Sequence, residues 1–578
     1  MVAIEFHDPS SRVEITSGFA PRLETLNGKR VAMLSGAQWQ AHRTLPLLKS
    51  LLETDFSGIE VLSHENFPEG EFAVGHEDTV RQVLGTRPDA VIIGNAACGS
   101  CSTALARAAA RFEKENVPTV LLGRTDFLGV VRNAASGMGM PGEAATVAFP
   151  VDVFLPESDL TEVSARRKEF YDGLTTWRHR GPFSSGSNTG LFNVAGETSQ
   201  DAVAAFNAFM IANRWGDGLP LVPPTEKQVE WILRGTERSP AEVIGKVLPR
   251  GGIATVKAIA IALAMAGGRP EYLPVLLAAV EAFLDPLSDS EHMQADSAGA
   301  FPVVIVNGPV AGQIRLNSTF GCLGPDPQRP AGASIGRALR LIQQNIGGAL
   351  PGVGAMAVWG AMRFTNAVFA EDEERLPNGW RPHGTERHGY PQGSNSVSLL
   401  WCTGVTNIRS RSGKKLTVEQ DSLQGLLRIS EYLSAPNLGS LKGYTSGAPG
   451  VLMLSPVVAQ AMSQVGWTKA KIRQFIWENA RLDRTTRARN GVNDWLEIDH
   501  NPNVRAGVEA ESWPFSVSPD NLIVLVSGGG HLTNSHWMEG YTPNVVGRPI
   551  GLPGCFEELL DQANAQLGSG GAACQIRA

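Results

Sequence analysis

From residue 29 onward, short apolar runs alternate with stretches whose apolar positions recur at helical spacing. Residues 30–34 (RVAML), 58–62 (GIEVL) and 118–122 (PTVLL) have the length and content of strands, and 89–93 (DAVII) is the clearest of them. Between them, residues 39–52, 77–84 and 102–116 carry helical patterns, and a further helix is expected from about Asp126. Strands that alternate with helices predict a parallel sheet covered on both faces. This pattern defines a first domain over residues 1–180, with 1–28 as its lead-in.

Residues 181–200 include SSGSNTG and lack apolar periodicity, so they read as a linker. Residues 201–578 mix the two element types. Helices are expected over 202–214, 255–266, 271–283, 331–344, 420–432 and 468–480. Strands are expected over 301–307 (FPVVIVN), 396–401 (SVSLLW) and 522–527 (LIVLVS). The stretch 215–224 (WGDGLPLVPP) cannot be helical. Thr225 after it reads as a helix cap, with Gln228 completing a capping box. The fold class is therefore α/β: an N-terminal parallel-sheet α/β domain, then a larger mixed α/β (α+β) domain with room for two lobes.

Composition narrows the functional classes. The chain has 578 residues, 43% hydrophobic and 19% charged, with a net charge of −7. It shows no basic run with interleaved aromatics, so nucleic acid is not an expected partner. The first residues lack the basic and apolar regions of a signal peptide. The apolar stretch 253–265 is too short to span a bilayer, and 341–362 is broken by Gln343, Gln344, Asn345, Pro351 and five glycines. No membrane association is expected. Six cysteines, only two of them close together, do not make a disulfide scaffold. A soluble, cytoplasmic protein is expected, with a small-molecule substrate and scope for homo-oligomers.

The close pair is Cys98 and Cys101, in DAVIIGNAACGSCS (89–102). A buried strand runs into a small-residue loop and then into a helix beginning near Ser102. Ligands bind at the carboxyl ends of parallel strands. The partial positive charge of a helix N-terminus lowers a thiol's pKa and raises its thiolate fraction. Cys98 and Cys101 are thus the catalytic candidates. Asn95, Gly99 and Ser100 are candidate substrate contacts, through loop N–H groups able to cradle a carboxylate. Arg124 and Thr125, after the next strand, are further candidates, Arg124 through bidentate binding of a carboxylate. The spacing also suits a dithiol redox motif. The bland alternative is two small buried residues packed in a tight loop. A zinc site is the weaker reading, because no second close Cys or His pair accompanies the motif.

The strand, loop and helix around Cys98 resemble the first cysteine segment of the aspartate/glutamate racemase superfamily, which implies a thiol that moves protons beside a carboxylate. No further cysteine precedes Cys322, so that superfamily's second cysteine segment has no counterpart in this domain. The stretch from about Gly28 to Trp177 also resembles the UGSC family, whose motif is selenocysteine or cysteine followed by Gly-Ser-Cys. Here that motif is Cys98-Gly99-Ser100-Cys101. The resemblance implies thiol or selenol chemistry at Cys98, with Cys101 as a resolving or tuning thiol. The larger region (GDGLPLVPPT, GGRPEYLPVLLAAVEA, FAEDEE) is similar to a companion region of UGSC-type proteins.

Three places in the second part attract notice. Residues 307–324 form a Gly-rich loop with Cys322. Residues 369–388 set Glu371, Asp372, Glu373 and Glu374 before His383, Glu386 and His388, a composition suited to acid–base work or a hard metal, or else to a solvated acidic face. Residues 527–536 (SGGGHLTNSH) follow the best strand. Gly528, Gly529 and Gly530 could offer N–H groups to a substrate, and His531 could move protons. Neither a Walker A loop nor a dinucleotide fingerprint is present, so no cofactor is expected, and no metal ligand set is assigned. The leading expectation is a thiol-dependent enzyme acting on a small organic substrate. The alternatives are a lyase, isomerase or hydrolase that uses Cys98 with a histidine of the second part (His531 or His383), and a non-catalytic ligand- or metal-binding protein.

Overall fold

The computed structural model describes every residue except 180–189, 362–364, 410–415, 437–442, 445, 493–509 and 569–578. The first strand, β1 (Val2–His7), lies apart from the domain that follows it. That domain is built on five strands: β2 (Arg30–Ser35), β3 (Glu60–Leu62), β4 (Ala90–Ala96), β5 (Thr119–Arg124) and β6 (Thr146–Phe149). They pair in the order β3-β2-β4-β5-β6, all parallel. Successive side chains of a strand point to opposite faces. Val31, Met33 and Ile92 therefore pack under the helices Ala41–Asp55 and Arg167–Thr175, while Ala32, Leu34, Val91 and Ile93 pack under Gly99–Lys114 and Leu128–Gly137. Burial on both faces explains why these strands read as unbroken apolar runs. The chain leaves β2 toward β3, then returns to the other side of β2 to form β4. The sheet's switch point thus lies between β2 and β4, where open α/β sheets place their ligands.

β1 instead pairs antiparallel with β7 (Leu191–Gly196), inside the stretch read as a linker; residues 181–189 of that stretch lie outside the described residues. The helix Ser199–Ala212 follows at once, and Phe6 packs against Phe206. The first strand of the chain is therefore part of the core of the second half. The lead-in that follows is tied down as well. Arg22 meets Glu113 at 2.9 Å, with both side chains almost wholly buried.

After the helices Ser199–Ala212 and Glu226–Leu233, the second part continues with a hairpin, β8 (Val243–Val247) and β9 (Gly252–Thr255), and two buried helices, Val256–Met265 and Leu273–Leu284. Its main sheet is seven-stranded and mixed, formed by β10 (Phe301–Asn307), β11 (Ala367–Ala370), β12 (Ser396–Arg409), β13 (Gly450–Leu454), β16 (Leu522–Val526), β17 (Asn534–Gly540) and β18 (Val546–Pro549), while β14 (Arg481–Asp483) and β15 (Ser512–Pro514) pair separately. β12 is much longer than the six residues expected. Its first half pairs with β10 and its second with β17. The alternation places Val304, Leu399 and Trp401 on one face and Val303, Leu400 and Cys402 on the other, each inside its own apolar cluster. Thr225 caps the helix Glu226–Leu233 by accepting from the Gln228 N–H. Among the described residues, no helix is long and apolar enough to cross a membrane.

Candidate thiol site between the two parts

β4 stays buried to its end, and Cys98 leaves it in an extended conformation as the cap of the helix Gly99–Lys114. The helix starts three residues before the position expected from the sequence, so Cys101 lies within its first turn. The Cys101 N–H donates to Cys98 Sγ at 3.2 Å. The two sulfurs are joined as a disulfide, with Cα atoms 5.3 Å apart. Cys98 is half-buried, whereas Cys101 is 1% exposed. Only one sulfur of the pair is thus open to attack, and that same sulfur, at the helix N-cap, receives the N–H whose partial positive charge stabilises a thiolate.

Beside Cys98 stands Glu71, on a four-residue helix (Glu71–Val74). Gly70 ahead of it adopts φ +102°, a conformation that favours glycine, and its N–H donates to the Ser35 carbonyl at the end of β2. This turn brings Glu71 over the switch point. Its Oε2 lies 3.9 Å from Cys98 Sγ and accepts from Ser100 Oγ at 3.0 Å; Ser100 Oγ is itself 3.6 Å from the sulfur. Nothing in the local pattern EFAV announced this role. Asn95 is fully buried and structural: its side chain accepts from Thr44 at 2.9 Å and donates to the Trp39 carbonyl at 2.6 Å.

The other wall comes from the second part. The helix Ser290–Ala295 lies against Gly99 so closely that a Cβ there would stand 1.7 Å from the Ala295 carbonyl oxygen. From this helix, His292 presents Nε2 at 4.0 Å from Glu71 Oε1 and Nδ1 at 3.6 Å from Asp289. Glu291 pairs with Arg107 of the thiol helix at 2.9 Å. Burial pushes its carboxyl up to about 7, against the pull of Arg107. The segment is held from behind by two hydrogen bonds: Trp401 Nε1 donates to Ser288 at 3.1 Å, and Tyr541 donates to Asp296 at 3.2 Å. A histidine of the second part does stand near the thiol loop. It is His292, in the segment 289–296, where no local motif marks it.

The other candidates lie elsewhere. Arg124 is engaged by Asp126 at 2.8 Å and stands over the Phe127 ring, and Thr125 opens the short turn between them. Gly528, Gly529 and His531 line a cavity of about 300 Å³ with Cys322, Ser455, Ser527 and His536, and no thiol-loop residue shares that lining. Gly530 follows them with Val457 as its neighbour. His383 is not a reachable base, since complete burial beside Lys469 holds its pKa well below the ordinary value. The acidic run is half buried and half solvated: Glu371 and Asp372 are buried, whereas Glu374 is exposed. Glu371 is buried and pairs with buried Lys469 at 2.9 Å, and its other oxygen accepts from the His383 N–H. The Glu371 oxygens are taken up by this internal ion pair and hydrogen bond, Asp372 pairs with Arg375 at 2.8 Å, and Glu373 accepts from Asn307 and the Gly308 N–H.

Residues 5–176 match the model of the UGSC family, so the resemblance carried by Cys98-Gly99-Ser100-Cys101 holds for the N-terminal domain. No curated protein and no solved structure matches the chain.

Proposed function

We propose that the chain is a thiol-dependent enzyme that exchanges electrons with a small organic disulfide or thiol through Cys98 and Cys101. The observation that carries this reading is the unequal exposure of two bonded sulfurs at one helix start, with a carboxylate beside the exposed one. Starting from the reduced pair, the Cys98 thiolate attacks one sulfur of a small disulfide. The substrate S–S bond breaks, a mixed disulfide forms, and the first product leaves as a thiolate. Cys101 then gives up its proton and attacks Cys98 Sγ. The second product thiolate departs and the intramolecular disulfide closes. Two electrons pass from the protein to the substrate, and the released thiolates take up the two protons. Glu71 is the group placed to receive a proton at the rim. The reverse direction starts with attack of a small thiolate on Cys98 Sγ; the S–S bond breaks and Cys101 leaves as a thiolate that takes up a proton.

A second reading draws on His292. Its approach to Glu71 supports acid–base chemistry at Cys98, as in a lyase, isomerase or hydrolase. One trapping experiment separates the two. Reduced protein is mixed with a small symmetric organic disulfide and examined by intact mass. Exchange requires that Cys101→Ser accumulate a mixed disulfide on Cys98 and that Cys98→Ser accumulate none. No adduct on Cys101→Ser would overturn it.

A further inference from the structure

The thiol loop has the donor set of a metal site, assembled from residues far apart in sequence. The geometry points to a site for a divalent metal of borderline softness, formed by Cys98, Cys101 and Glu71 with His292 within reach, that exists only while the disulfide is open. The two sulfurs and a Glu71 oxygen all lie within 4.8 Å of one another. Tetrahedral zinc, with Zn–S of about 2.3 Å and Zn–O of about 2.0–2.2 Å, places its ligands roughly 3.3–3.8 Å apart. Glu71 Oε2 already stands 3.9 Å from Cys98 Sγ, so the main change needed is separation of the sulfurs, which breaking their bond allows. His292 stands outside that cluster but next to it, with Nε2 4.0 Å from the other Glu71 oxygen, and is the side chain placed to complete it. Its Nδ1 lies 3.6 Å from Asp289, close enough for that carboxylate to take the ring's N–H with a small shift and orient it as a ligand.

Charge argues the same way. Opening the disulfide would place two thiolates beside the Glu71 carboxylate. A divalent cation would relieve that repulsion. The inference rests on the reading of Cys98 and Cys101 as a reducible pair. Oxidation by a small disulfide would then convert metal and two thiolates into free metal ion, the protein disulfide and two small thiolates. Oxidation state would control metal occupancy.

The test uses the full chain, reduced and freed of reductant, titrated with Zn²⁺ against a chromogenic chelator and with Co²⁺ for sulfur-to-metal charge transfer. The Cys98→Ser/Cys101→Ser double variant controls for the other four cysteines. One equivalent of Zn²⁺ is expected on the reduced chain beyond the double variant and none on the oxidised chain. A small disulfide should release it with loss of two thiols. Glu71→Gln should weaken it by about tenfold or more with unchanged thermal unfolding. If reduction exposes two extra thiols but no additional Zn²⁺ binds, the metal site is overturned and the dithiol reading stands. If reduction exposes no extra thiols, both fall.

Discussion

Gly99 and Ala295 meet across the boundary between the two parts of the chain: the glycine's Cα faces the alanine's carbonyl, with no room for a methyl group between them. The contact fixes the thiol helix against the segment that carries His292.

Gly99→Ala tests that contact. In the first turn of a helix, alanine gains up to about 1 kcal/mol over glycine from propensity alone. A Cβ at 1.7 Å from a backbone oxygen forces the segments apart, and overpacking of this kind costs about 1–3 kcal/mol or more. The clash wins. Denaturant unfolding should show a destabilised full chain, and labelling of Cys101 should quicken as the wall separates. A more stable variant would mean that the two segments do not touch in solution.

Glu291 links stability to pH. Its folded pKa, about 7, lies above the ordinary glutamate value near 4.5, because burial outweighs Arg107. Between those values the folded chain holds a proton that the unfolded chain has lost, so this group's contribution falls as pH rises from about 4.5 to 7. Glu291→Gln mimics the protonated form. Its melting temperature should match that of the wild type at pH 5 and exceed it at pH 8. Equal differences at both pH values would show that Glu291 is charged throughout.

Lys469 and Glu371 form a buried ion pair with side chains 3% and 0% exposed. Lys469→Met leaves the carboxylate uncompensated and should destabilise the chain by about 3–5 kcal/mol. The Lys469→Met/Glu371→Met pair should recover much of that loss. Neither change should alter Cys98 reactivity, because the pair does not belong to the thiol site. Altered Cys98 labelling in a folded variant would contradict that separation.

The sequence made the N-terminal sheet legible because its strands are buried on both faces, so 89–93 and 118–122 read as unbroken apolar runs. It missed β6, four residues long, and the pairing of β1 with β7, which no local pattern encodes. The thiol pair was legible from spacing alone. Its partners were not. Glu71 is placed by a turn at Gly70, and His292 arrives from far along the chain by tertiary packing. His531 and the glycines after β16 also looked chemical, yet Gly528, Gly529 and His531 line a cavity to which no thiol-loop residue contributes. His383 drew notice for its acidic neighbours, of which Glu371 is answered internally by Lys469 and Asp372 by Arg375.

The most direct measurement is the order in which the two sulfurs react. The full chain is reduced, exposed briefly to a small alkylating agent, quenched and digested, and the label at each cysteine is read by mass spectrometry. Cys98 should be labelled before Cys101, and both only after reduction. Labelling of Cys101 first, or of neither before the chain unfolds, would contradict the proposal that residue 98 presents the working sulfur.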